Sequence, residues 1–184
     1  GTLRPELAAP GRRARCLLAG THPKHALLCD GALQNFRALL TGELFEVLAR
    51  ESLLAASVTH EVAAGPPDLA MFRAGVACAR ERGAEAALFQ VRARHLLLAT
   101  AKEANTWFLS GVLVGGELSR LECEVVGATL ALIGDPMRLT LYCAALEELG
   151  LAVRFGAPIL IALNDAVVAG QEKLMRAHAH QLAA

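Results

Sequence analysis

Aromatic side chains are scarce: they make up 4% of the chain, with one Trp and one Tyr. A core must then be built mainly from Leu, Ala and Val, and the 54% hydrophobic content suffices for one and argues against disorder. Charge of one sign is not in excess. Eighteen basic and 18 acidic residues cancel, so long-range attraction to nucleic acid or to a membrane surface is not expected. No apolar run reaches the ~20 residues of a membrane span, and no stretch reads as a signal peptide. Paired cysteine spacing is also missing. Cys16, Cys29, Cys78, Cys123 and Cys143 are odd in number and scattered, which predicts reduced core thiols in a cytoplasmic protein and no metal site.

What is present fits one domain of ordinary size in 184 residues. Residues 1–14 carry two prolines and three arginines and read as a linker or truncated end, and the start at Gly1 without Met suggests a fragment. The organising stretch is 15–54. Apolar runs at 16–19 and 26–29 end on Gly20-Thr21-His22 and Asp30-Gly31, and a third segment at 33–40 ends on Thr41-Gly42. Asp-Gly between apolar runs signals a hairpin, because both turn positions tolerate positive φ. Three antiparallel strands feeding a helix at 43–54 follow, with Leu44, Val47, Leu48 and Leu54 toward one side.

Beyond it, Asp68 caps a helix at 69–82, Gly83 ends it, and further helices span 84–98 and 102–121. The region 55–104 forms a helical insert. The run 125–133 reads as a buried strand. Asp135 and Pro136 suit the cap and first position of a helix that Gly150 ends. A short strand at 151–155 and a helix at about 163–180 close the chain. The order predicts an α/β fold: a mixed five-stranded sheet with helices on its faces.

Two turns suit an anion. Gly20, Thr21 and His22, with Lys24 close behind, offer a hydroxyl, an imidazole and a cation. Thr41 and Gly42 open a helix, where N–H groups lack intrahelical partners. Ordinary turn chemistry accounts for the same residues. Gly111 and Gly115 leave room either for a packed helix or for a ligand ring. Arg92 and Arg94 read as solvated or paired, with a phosphate contact as the alternative. His178 and His180, two apart on a helix, point different ways and do not form a metal pair.

The element order resembles one lobe of the actin-like sugar kinases, with their ribonuclease-H-type core. The segment GTHPKHALLCDGALQNFRALLTGELFEVLARESLL is similar to the second phosphate loop of the 2-dehydro-3-deoxygalactonokinases. LFQVRARHLLL with WFLSGVLVGGEL, IGDPMRLTLYCAALEELG and NDAVVAGQEKL resemble further segments of that family, over residues 15–174. His25 departs from the Trp usual after the lysine.

The resemblance implies that residues 15–184 are the C-terminal, ATP-binding lobe of a kinase that phosphorylates 2-dehydro-3-deoxygalactonate with ATP and Mg²⁺. Gly20, Thr21, His22, Lys24, Thr41 and Gly42 would meet the phosphates. Gly111, Gly115, Gly134, Asp135 and Pro136 would meet the adenosine. The sugar acid would be held by an N-terminal lobe with no counterpart here. That lobe would also supply the general base, so no catalytic residue is expected in this chain and none of the activity in isolation. Another acceptor sugar, a homo-oligomer, and a stand-alone ATP-binding or scaffolding module remain open alternatives.

Overall fold

The computed structural model describes residues 7, 9–60, 66–123 and 128–182. The chain opens on β1 (Arg13–Leu18), β2 (Lys24–Cys29) and β3 (Ala32–Ala38), then α1 (Thr41–Glu51) and a 3₁₀ segment, Leu53–Ser57. Helices α2 (Leu69–Arg82), α3 (Ala84–Leu98) and α4 (Lys102–Ser119) follow. The chain ends in β4 (Thr129–Gly134), α5 (Pro136–Glu148), α6 (Leu151–Phe155), β5 (Ile159–Ala162) and α7 (Leu163–Leu182).

One sheet of five strands runs β3-β2-β1-β4-β5. The first three strands pair antiparallel, whereas β4 is parallel to β1 and β5 to β4. This is the expected mixed sheet. Asp30 and Gly31 have φ of 53° and 74°, the positive pair that a two-residue hairpin turn demands. Asp68 and Asp135 cap α2 and α5 by accepting from the amides of Met71 and Arg138, and Gly150 ends α5 at φ 71°.

Side-chain alternation splits the strands between two cores. Leu17, Leu130 and Leu132 face α2, α4, α5 and α6, where they meet Phe72, Val76, Leu118 and Leu146. Ala14, Cys16, Ala131, Ile133 and Ile161 face the other way, under Leu7 and Ala166 of α7. A third cluster, including Ala49, Leu54, Val91, Phe108 and Val112, packs α1 and α3 on the outer sides of α2 and α4.

Two expectations are corrected. Residues 151–155 are a helix: Leu151 is buried, Phe155 packs beside it, and an i, i+4 apolar pair is helical spacing. The fifth strand is Ile159–Ala162, and only Ile161 of it is buried. A four-residue apolar run carries no period of its own, so neighbouring runs compete for the assignment. On α1, Leu44 and Val47 are exposed, and the inward face instead carries Thr41, Phe45, Leu48 and Ala49. Of the expected strand at 125–133, residues 125–127 lie outside the described residues.

Candidate functional site

Because β1 and β4 are parallel, both release the chain at one rim of the sheet, and β3, twice reversed, ends there too. Crevices at the carboxyl ends of strands are where open α/β sheets bind ligands. The Ala19 amide still donates to the Ile133 carbonyl at 2.8 Å, so the Gly20-Thr21 turn starts beside Gly134-Asp135. A cleft of about 380 Å³ opens at this rim. One side carries Gly20, Thr21, Thr41, Gly42, Phe45 and Glu46. Trp107, Ser110, Leu113 and Val114 of α4 run along its length, and Asp135, Met137, Arg138, Leu141 and Tyr142 form the other side.

The predicted residues divide. Gly20, Thr21, Thr41, Gly42 and Asp135 come together in the cleft lining. His22 sits next to it on the turn, and Lys24 opens β2 just beyond. The His22 ring lies 2.6 Å from the Glu43 carboxylate, and the Lys24 ammonium donates to the His22 carbonyl at 2.8 Å. Gly134, buried at the end of β4, and Pro136, exposed at the start of α5, flank Asp135 outside the lining.

The expected roles of Thr41 and Gly42 as free helix-terminal donors are not what the geometry shows. The Gly42 and Glu43 amides both donate to the Thr21 carbonyl, at 3.0 and 3.2 Å. The Thr41 hydroxyl donates to Glu117. The start of α1 thus clamps the Gly20-Thr21 turn rather than offering its own amides. Gly42 is required for the clamp, since a Cβ there would stand 2.6 Å from the Thr21 Cα.

Gly111 and Gly115 are corrected as well: neither faces the cleft. A Cβ on Gly111 would lie 2.0 Å from the Phe72 carbonyl oxygen, and one on Gly115 2.9 Å from the Val76 Cα. The space above both is filled by α2, whose Gly75 reciprocates against α4. Of the two uses open to them, helix packing is the one realised.

At the far end, Asp135 accepts from the Arg138 amide at 2.9 Å and from its guanidinium. Burial pushes the Asp135 carboxyl up, but the Arg138 amide and side chain and the Met137 amide outweigh it, and the group sits below its ordinary value. It therefore stays ionised and keeps Arg138 beside the cleft.

Sequence reasoning missed the polar group at the inner end. The Glu117 side chain on α4 is 1% exposed. It accepts from Thr41 and, at 2.9 Å, from the Tyr142 hydroxyl, and the His25 ring nitrogen lies 2.8 Å from it. Burial first, and the Glu117 carboxylate second, push the Tyr142 phenol well above its ordinary value, so it stays protonated as a donor. Trp107, read only as core, is 8% exposed and forms part of the cleft wall. The visible signal for Glu117 was one acidic residue in an otherwise apolar helix stretch, where burial requires partners.

A family model described as 2-keto-3-deoxy-galactonokinase matches residues 1–176. A protein of Rhizobium meliloti (strain 1021) named as a probable 2-dehydro-3-deoxygalactonokinase, DgoK1, is 36% identical over 172 residues, covering 87% of this chain and 51% of its own. The 2-dehydro-3-deoxygalactonokinase of Escherichia coli (strain K12) is 29% identical over 140 residues, covering 73% of this chain and 45% of its own. A crystal structure from Sinorhizobium meliloti, named for the same activity, matches with a TM-score of 0.77 at 31% identity, covering 91% of this chain and 55% of that one. The chain spans about half the length of the curated relatives it matches. On a match over nearly all of its residues, this chain belongs to the 2-keto-3-deoxy-galactonokinase family.

Proposed function

We propose that this chain supplies the nucleotide-binding part of an ATP-dependent 2-dehydro-3-deoxygalactonokinase. One observation carries the reading: a hydroxyl-bearing turn and a charged helix cap stand at opposite sides of a single cleft, with apolar walls between them. Its volume of about 380 Å³ lies within the range of small-molecule sites. The family membership and the names of the matched relatives support the same activity.

In this reading the Thr21 hydroxyl and the turn amides at 20–22 donate to the phosphates. Trp107, Leu113, Val114 and Leu141 shield the base from water. Asp135, held ionised, accepts from a ribose hydroxyl, and Arg138 is kept at the same side as a cation. Phosphoryl transfer asks a protein mainly for positioning and charge stabilisation, and these residues provide both to the donor. The sugar-acid hydroxyl gives its proton to a base that the other lobe of the kinase supplies and attacks the γ-phosphorus, the bond to the β,γ-bridging oxygen breaks, and ADP leaves. Among the described residues no three potential metal ligands cluster. Magnesium in such sites is bound chiefly through the substrate phosphates and water, and no step is assigned to the metal.

Calorimetric titration with ATP tests the reading. The Thr21→Val variant should bind about thirtyfold more weakly than the parent chain, because a hydrogen bond to a charged group is worth about 2 kcal/mol. Equal affinities would remove the turn from the phosphate site.

A further inference from the structure

The polar group around Glu117 is larger than stability requires. Its carboxyl takes hydrogen bonds from two elements that flank α4, Thr41 from the start of α1 and Tyr142 from α5, with His25 of β2 behind it. Thr41 and Tyr142 both line the cleft, on opposite sides. Glu117 itself does not line it, and follows Leu113 and Val114, which do, by one turn of α4. Replacing a buried ionic group with apolar residues of similar volume is often neutral or stabilising, so its presence is weak evidence for a role in stability. Position is what it does supply. Thr41 stands next to Gly42, whose amide holds the Thr21 carbonyl, so the setting of Thr41 is passed to the Gly20-Thr21 turn.

We infer that Glu117 is a positioning residue that ties the two sides of the cleft together and sets the spacing between the Gly20-Thr21 turn and the α5 side. The functional consequence, tighter nucleotide binding, rests on the nucleotide reading above. The tie itself does not.

Trp107 is the sole tryptophan and lies in the cleft wall, so its emission reports on the site. The test compares the parent chain with Glu117→Gln, with Tyr142→Phe, which deletes one hydroxyl and keeps the ring, and with Val91→Ala. Val91 of α3 is buried outside the cleft lining and has no part in the Glu117 group, so its truncation controls for lost packing. All are measured cold, where circular dichroism shows each to be folded. Acrylamide should quench Trp107 more readily in Glu117→Gln and Tyr142→Phe, and no more readily in Val91→Ala. MgADP, followed by the same emission, should bind the two cleft variants roughly tenfold more weakly and the Val91→Ala control as tightly as the parent. Unchanged quenching in both cleft variants overturns the tie. Looser quenching with no saturable response of the parent chain to MgADP keeps the tie and rejects the nucleotide reading. Should Glu117→Gln fail to fold, Tyr142→Phe decides between the same outcomes.

Discussion

Gly111→Ala should lower the thermal unfolding midpoint by about 10 °C. The new methyl group would sit 2.0 Å from the Phe72 carbonyl oxygen and 3.1 Å from the Val76 amide nitrogen. Both are backbone atoms, so no rotamer change relieves the clash and the helices must separate. Separation loosens Phe72 and Val76, both fully buried in the layer between the sheet and the helices. Alanine gains about 1 kcal/mol over glycine in helix propensity, and overpacking costs typically 1–3 kcal/mol, more where the backbone must move. We expect a net loss of about 3 kcal/mol, with each kcal/mol worth about 2–4 °C in a domain of this size. Gly170→Ala on α7 is the informative contrast, because a Cβ there meets nothing within 4 Å. It should be neutral or stabilising by up to about 1 kcal/mol. Thermal melts of the two variants, followed by circular dichroism, decide it. Equal behaviour would mean that α2 and α4 do not cross with their backbones in contact.

The second large effect belongs to Gly42→Ala. Its methyl group would stand 2.6 Å from the Thr21 Cα and 2.9 Å from the Thr21 carbonyl oxygen. The start of α1 is held by Thr41 on Glu117, so the turn is the part that yields. Its displacement breaks the bonds from the Gly42 and Glu43 amides to Thr21. A loss of about 2 kcal/mol in stability follows from the clash and the broken pair. Nucleotide affinity should fall at least roughly tenfold, as expected when a coupled neighbour of the binding groups is moved. Gly20→Ala separates this from a general intolerance of the turn, since a Cβ at Gly20 meets nothing within 4 Å. It should leave the melting temperature unchanged. If Gly20→Ala destabilises as much as Gly42→Ala, the clamp described here is not what holds the turn.

Much of this architecture could be read from local chemistry. The Asp30-Gly31 turn, the Asp68 and Asp135 caps and the Gly150 stop each depend on residues within a few positions, and each appears as expected. The gathering of Gly20-Thr21, Thr41-Gly42 and Asp135 at one rim followed from strands ending together. What could not be read is whatever depends on distant partners. Glu117 and His25 are 92 positions apart, and nothing local marks the glutamate as buried or the histidine as its neighbour. Gly111 and Gly115 invited two readings because a missing side chain looks the same to a ligand and to a helix. Residues 151–155 read as the strand that 159–162 forms, because both runs are short and apolar and only their packing against α5 and β4 separates them.

The central claim is that the rim of the sheet between the Gly20-Thr21 turn and the Asp135 cap is a nucleotide site. Amide NMR of the chain during titration with MgATP addresses it most directly. The account predicts that the backbone resonances of residues 20–22 and 135–138, and the indole resonance of Trp107, move together along one saturation curve. Saturation that leaves those resonances in place, or shifts gathered on another face of the molecule, would contradict it.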